Sequence, residues 1–231
     1  GEIVGLAGVE GNGQSELVEA LVGLRPIDDG VIELAGQAIT HWDNRRRREV
    51  GLAVIPEDRT QQGLSKTLRV WENLVATRYY QPPMSRFSWL QPASIRQFAR
   101  QLIEQFDIRT SSENAELSTL SGGNAQKVVV ARELSRRPMA LIAAQPTRGL
   151  DVGAAQFVHE HLLQLRNAGV AVLLISADLD ELLALADRFA VIFRGRIVGL
   201  LSAEEATRER LGLLMAGRVS EQPLQLQTAV S

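Results

Sequence analysis

With 231 residues and a formal net charge of −2, the chain can bury the core of one domain with a subdomain, and its near-balanced charge gives no footprint for nucleic acid or an anionic membrane surface. Cysteine is absent, which excludes disulfides and thiolate metal sites. No apolar run approaches the length of a membrane span, and no signal-peptide pattern is visible.

The first element is Gly1–Gly8 (GEIVGLAG), an apolar, β-branched run ending in glycine, which predicts a strand. It leads into a glycine-rich turn and a helix carrying Leu17, Val18, Leu21, Val22 and Leu24 on one broad face. Val31–Leu34 and Gly51–Ile55 predict strands around a polar helix that contains Arg45–Arg48. That arginine run predicts a solvated helix face, with an acidic contact on a partner as the sharper alternative. Residues from about 71 to 120 leave the α/β alternation and predict helices such as Ser94–Phe106, with Phe98, Leu102, Ile103 and Phe106 on one side. From Ala125 the alternation resumes, with strands near 139–144, 170–176, 189–194 and 196–201 and helices at 151–168 and 178–186. The segment 170–176 is short and reads as a buried parallel strand. Ser202–Ala216 predicts a final helix, and the polar, Gln-rich stretch from Gly217 predicts a mobile tail. No internal repeat is visible.

The glycine-rich turn is Gly8-Val9-Glu10-Gly11-Asn12-Gly13-Gln14-Ser15. The phosphate-cradling pattern G-x-x-x-x-G-K-[ST] is met at every fixed position except the lysine, replaced by Gln14. Glycines let backbone N–H groups converge on phosphate oxygens, and the helix N-terminus aims its positive end at the same anion. A cradle can therefore form without its cation. A charge pair about 4 Å apart is worth roughly 4 kcal/mol at an effective dielectric near 20, before desolvation costs, and a glutamine amide does not replace that. A glycine-rich turn with no ligand is the plain alternative. Ser15 is the one residue of the loop whose hydroxyl suits Mg²⁺.

A second motif makes the turn specific. Leu120-Ser121-Gly122-Gly123-Asn124 is followed by Ala125–Arg132, then by Ala140-Leu141-Ile142-Ala143-Ala144-Gln145-Pro146-Thr147-Arg148-Gly149-Leu150-Asp151. In order and spacing, residues 1 to about 201 resemble the ABC ATPases, and most closely the second, C-terminal nucleotide-binding domain of tandem importer ATPases for simple sugars and nucleosides. Pro56-Glu57-Asp58-Arg59 and the run 144–154 resemble the nucleoside branch in particular. The resemblance implies an α/β P-loop NTPase of the ABC type, with residues 1–70 and 125–201 as its core. It implies a helical subdomain at 71–124 that carries the signature, and a C-terminal helix and tail at 202–231.

Against that family the hydrolytic positions are changed together. The Mg²⁺-holding aspartate is Ala144, and the glutamate acting as base is Gln145, which accepts no proton. The glutamine that senses the γ-phosphate aligns with Glu57, and the histidine after the strand ending at Ser176 is Ala177. Losing a general base costs on the order of 10²–10⁴ in rate, and losing an electrostatic stabiliser about 10²–10³. Such losses need not multiply, but phosphoryl transfer rests almost wholly on this positioning, so hydrolysis at this P-loop is expected to be negligible. No register slip supplies the missing groups. The two lysines are Lys66 and Lys127; the histidines His41, His159 and His161 all miss the strand end and read as surface or internally satisfied residues.

What the resemblance leaves intact acts in trans. Two such domains pair head to tail, so Ser121, Gly122, Gly123 and the helix start near Asn124 face the other domain's P-loop, and Asp151 crosses the interface. The implied ligands are ATP and Mg²⁺, with binding at Gly8–Ser15 open. The implied partners are a second nucleotide-binding domain, expected in the same full-length chain, integral membrane permease subunits and, indirectly, a substrate-binding protein; no nucleic acid is implied. The implied location is peripheral, on the cytoplasmic side of the inner membrane. Because the sequence opens inside the strand feeding the P-loop, a preceding β segment with the adenine-stacking aromatic is expected in a longer protein, and its absence is expected to leave a strand edge unpaired. Six of the eleven aromatics, Trp71, Tyr79, Tyr80, Phe87, Trp89 and Phe98, lie between Glu57 and the signature. Trp71, Tyr79 and Tyr80 are the expected permease contact, against an ordinary subdomain core. The rival functions are a non-transport ABC-class ATPase and a purely structural dimerisation scaffold.

Overall fold

A computed structural model describes residues 1–218. In chain order its elements are β1 (Glu2–Ala7), α1 (Gln14–Val22), β2 (Glu33–Leu34), β3 (Gln37–Ala38), α2 (Asn44–Glu49) and β4 (Leu52–Ile55). Next come α3 (Val70–Val75), β5 (Ser85–Arg86), β6 (Trp89–Leu90), α4 (Pro92–Gln105) and α5 (Gly122–Leu134). The last are β7 (Ala140–Ala144), α6 (Val152–Asn167), β8 (Ala171–Ser176), α7 (Leu179–Leu185), β9 (Arg188–Phe193), β10 (Arg196–Ser202) and α8 (Arg208–Met215).

The main sheet runs in the order β10-β9-β1-β8-β7-β4, parallel except for β10. Strand β1 therefore has partners on both sides, and β10 and β4 are the edges of this sheet. Side chains alternate between faces as a period of two requires. In β4, Leu52 and Val54 pack with Val22 of α1, whereas Ala53 and Ile55 pack with α5 and α6 on the other face. Burial on both faces is why β4 and β7 read as unbroken apolar runs.

The helical region is α3 and α4 packed on α5, with Leu102 and Phe106 buried. It also contains a small hairpin, β5–β6, turned by Phe87 and Ser88 at φ 50° and 64°. The signature helix starts at Gly122 with Ser121 as its N-cap, two residues before the start expected near Asn124. It continues to Leu134 and packs on β4, so the boundary expected at 124 falls inside one helix.

Four other expectations are corrected. Leu24 lies beyond the end of α1 and is exposed, because Gly23 in the left-handed conformation ends that helix. Val31 is exposed, and only Glu33–Leu34 pair, as the short hairpin β2–β3. The final helix is shorter than Ser202–Ala216. Ser202 closes a turn with Glu205, and Thr207 then caps α8 by accepting from Arg210 N. Finally, the arginine run is not one solvated face. Arg47 is 1% exposed and donates to the carbonyls of Ala20, Leu21, Thr40 and Trp42. Two of those carbonyls belong to the last turn of α1, where a cation also meets the negative end of the helix dipole. The polar stretch after Arg218 lies outside the described residues.

Candidate functional site

The P-loop spans from the end of β1 to the start of α1. Gly11 and Gly13 sit at φ 86° and 106°, a region that disfavours any side chain. The loop is braced from outside: Asn12 Oδ1 accepts from Arg194 N at 2.9 Å, and Asn12 O accepts from Gly195 N at 2.8 Å. From inside it is crossed by Gln14. The amide Nε2 donates to Val9 O at 3.0 Å, and Oε1 accepts from Asn12 N at 3.1 Å. A Cβ at Gly8 would come within 2.5 Å of Gln14 Nε2, so the space that glycine clears is already filled by the amide. The loop keeps its cradle shape while one of its inward N–H groups is taken.

The mouth is ringed by Ser15, Glu57, Arg148 and Glu10. Ser15 Oγ donates to Glu57 Oε2 at 3.3 Å. Arg148 Nη1 reaches Glu57 Oε1 at 2.9 Å and Glu10 Oε1 at 3.3 Å. The mouth thus holds two carboxylates and one arginine, and Gln14 occupies the lysine position of the phosphate-cradling pattern. These pairs are largely exposed, so each contributes at most about 1 kcal/mol. Their importance is the sign of the local field. For Mg²⁺ the donors are the Ser15 hydroxyl and Glu57 alone, because the strand-end position is the buried methyl of Ala144; among the described residues no cluster suits a metal ion.

Gln145 sits in the left-handed region at φ 46°, an uncommon place for a side chain. Its N–H donates to Ile175 O at 2.7 Å, and its Oε1 accepts from Ala177 N at 3.2 Å. The Gln145 amide is therefore tied to the loop that follows β8. The side chains of Ala144, Gln145 and Ala177 contain no carboxylate or imidazole. A cleft of 260 Å³ opens beneath the loop, bordered by Ser15, Val18, Glu57, Ala144 and Gln145.

The signature surface is finished differently. Ser121 is exposed, and its Oγ accepts from Asn124 N at 3.4 Å and from Asn124 Nδ2 at 3.0 Å. Asn124 Oδ1 accepts from Arg109 N at 2.7 Å, which fixes the turn to the end of the helical region. Gly122 is exposed. At Gly123 a Cβ would lie 3.0 Å from Ala154 Cβ and 3.5 Å from Asp151 Oδ2, so that glycine permits the signature and the Asp151 turn to touch. Asp151 caps α6 by accepting from Ala154 N at 2.9 Å and remains exposed. Buried Gln126 donates to Pro146 O at 2.7 Å, tying the signature helix to the Pro-Thr turn. Leu120 is half-buried against the core.

Two buried carboxylates stiffen this frame. Glu133, fully buried on α5, pairs with Arg48 of α2 at 2.7 Å and with Arg132 at 2.8 Å. Burial alone would push its carboxyl up, but the two guanidiniums outweigh it and hold the group below the ordinary glutamate value. Glu181 Oε1 accepts from Thr147 Oγ1 at 2.7 Å and pairs with His159 Nε2 at 2.9 Å. Burial again opposes the charged form, and hydrogen bonding from His159, Ser176 and Thr147 overcomes it. His161 bonds Phe157 O and stacks between Phe106 and Phe157. Both histidines are internally satisfied, as expected.

With a P-loop, a signature and an Asp151 turn placed by one sheet, the comparison with known proteins is direct. A family model described as ABC transporter matches residues 1–148. The chain belongs to the ABC transporter ATPase family. This ABC domain is 49% identical over 222 residues to the guanosine import ATP-binding protein NupO of Bacillus subtilis, covering 96% of the chain and 44% of NupO. It is 48% identical over 217 residues to the nucleoside import ATP-binding protein NupA of Lactococcus lactis subsp. cremoris, covering 94% of the chain and 43% of NupA. The chain thus spans less than half the length of these relatives. A solved nucleotide-free ATP-binding cassette from an ABC transporter matches with a TM-score of 0.75 at 23% identity, over 95% of the chain and 87% of that structure, a likeness of fold. ATPase domains of this family bind ATP or ADP with Mg²⁺. No described helix of this ABC domain is long and apolar enough to cross a membrane.

The aromatic patch of the ABC domain divides in two. Trp71 is half-buried and packs against two buried clusters of the helical region. Tyr79 is 49% exposed and meets Tyr80 edge to face, with Arg45 stacked 3.7 Å over the Tyr80 ring. The hairpin residues Phe87 and Trp89 are the more exposed aromatics, at 84% and 78%. Glu10 lies in the loop expected to bind nucleotide, whereas the roles of Arg148 as its ion-pair partner and of Gln126 as the tie to Pro146 were not visible in the sequence. The arginine in the Pro-Thr turn was the available signal.

Proposed function

We propose that the chain is a nucleotide-binding domain of an ABC importer whose own site does not hydrolyse ATP and which lends Ser121, Gly122, Gly123 and Asp151 to the ATP site of a partner domain. The carrying observation is the contrast between an open signature turn and a P-loop mouth closed by Gln14 and bounded by Glu10 and Glu57. The partner is a second nucleotide-binding domain, most simply the remainder of a longer chain, since the relatives are more than twice as long as the matched region. Relatives named for nucleoside and guanosine import favour a nucleoside as the solute over a simple sugar. Solute choice itself belongs to the membrane permease and a substrate-binding protein, with this domain docked on the cytoplasmic face through Tyr79 and Tyr80.

The test is ATP turnover by the full-length protein assembled with its permease, comparing Gly122→Asp with Gln14→Ala. A carboxylate at Gly122 would face the partner's phosphates and abolish turnover, whereas Gln14→Ala would leave it within about twofold. Loss of one electrostatic stabiliser sets the scale for the first change, on the order of 10²–10³. If both variants turn over normally, the domain is a dimerisation scaffold and the proposal is wrong. Damage from Gln14→Ala alone would mean that nucleotide held in this site matters for the cycle.

A further inference from the structure

Glu57 and Arg59 stand two residues apart and face two different surfaces. Glu57 closes the domain's own P-loop mouth through Ser15 and Arg148. Arg59, the first residue of a single π-helical turn (Arg59–Gly63), reaches the other way. Its Nη2 lies 3.2 Å from where a Cβ on Gly122 would stand, and 4.0 Å from the same point on Gly149. Its Nη1 donates to Arg148 O at 2.9 Å. The neighbouring carboxylate, Asp58, is spent on its own turn, accepting from Thr60 N, Thr60 Oγ1 and Gln61 N. Those bonds, the Thr60 hydroxyl first, hold Asp58 below the ordinary aspartate range. Among the described residues, the hydrogen-bond partner of Arg59 is therefore a neutral carbonyl, and its charge is left to the surface that carries Ser121 and Gly122.

We propose that Arg59 is a further member of the donated surface, meeting the terminal phosphate of the ATP held by the partner domain when the two domains close. The inference rests on the reading that the signature is donated in trans. Three features carry it. The guanidinium lies near the exposed glycine of the signature, Gly122. The Arg148 carbonyl holds it there, which limits the freedom lost on closing. A planar guanidinium can bond two phosphate oxygens at once, and charge on a transferring phosphoryl group is what such cations stabilise. Gly122 is then needed for space as well as for approach, since any side chain there would press on Arg59.

The deciding experiment measures kcat and ATP affinity of the full-length protein assembled with its permease, for Arg59→Gln, Arg59→Lys and Gly122→Asp. Glutamine keeps a donor for the Arg148 carbonyl but removes the charge; lysine keeps the charge. The expected result is a fall in kcat on the order of 10²-fold for Arg59→Gln, substantial rescue by Arg59→Lys, unchanged ATP affinity in the open state, and an unchanged melting temperature. If Arg59→Gln turns over like the wild type while Gly122→Asp is dead, the role of Arg59 is overturned and the donated signature stands. If Arg59→Gln and Arg59→Lys fail equally with a lowered melting temperature, Arg59 is a structural pin and the proposal is again overturned. If Gly122→Asp is harmless, the donated signature is wrong and the role of Arg59 falls with it.

Discussion

The P-loop mouth and the signature turn begin from the same materials: glycines that clear space ahead of a helix N-terminus. In the mouth that space is filled by the Gln14 amide, and the rim carries Glu10 and Glu57. At the signature the space stays open, Ser121 and Gly122 are exposed, and the nearest charges are the guanidinium of Arg59 beside Gly122 and the carboxylate of Asp151 beside Gly123. Backbone geometry that suits an anion is thus common to both regions. The side chains at the rim decide whether an anion is welcome, because their field is only partly screened at these distances.

Several substitutions separate the two regions. The largest effect is expected beneath both, at Glu133. Replacing it by Gln leaves Arg48 and Arg132 without their buried carboxylate and should cost about 3–5 kcal/mol in unfolding free energy, read by denaturant titration. The acid dependence has a definite sign. The folded Glu133 value lies below the ordinary 4.5, so the unfolded chain takes up the proton first. Its contribution is complete above about pH 4.5 and is lost as pH falls through the depressed folded value. Wild type should therefore lose stability in acid more steeply than Glu133→Gln; parallel acid curves would contradict this.

On the signature side, the proposed role in trans means that Asp151→Ala should lower ATP turnover of the full-length protein by roughly 10²-fold while costing the domain only about 1 kcal/mol through the lost α6 cap. Kinetics and thermal melting of the same preparation separate the two effects. On the mouth side, Glu57→Gln removes a carboxylate from the rim, yet under the proposed division of labour should change turnover by less than about twofold, because Gln145 and Ala177 still supply no proton acceptor. A large gain in turnover from Glu57→Gln would mean that charge at the rim, and not the missing base, silences the site.

The sheet was legible in the sequence because β1, β4, β7 and β8 are buried on both faces and so read as apolar runs. Both glycine motifs were legible because their chemistry fixes residue type at close spacing. Arg47 was not, since four consecutive arginines give no sign of which one meets the end of α1, whose carbonyls lie 26 and 27 residues away. The hairpin β5–β6 is too short for alternation to register, and it follows Pro82 and Pro83. The packing of Trp71 was not legible either, because the position of an aromatic in the chain does not say which side of α3 it faces. The contact of Arg59 with Gly122 joins residues far apart in sequence, and only the fold brings them together.

The proposed division of labour turns on which P-loop cleaves ATP. The assembled importer should be trapped with vanadate and a photoreactive ATP analogue during turnover, and the labelled peptides mapped. Label confined to the partner domain's P-loop, with none on the segment Gly8–Ser15, is the predicted result. Vanadate-dependent label on Gly8–Ser15 of this chain would show that its own site turns over, and would contradict the division of labour between the closed mouth and the open signature.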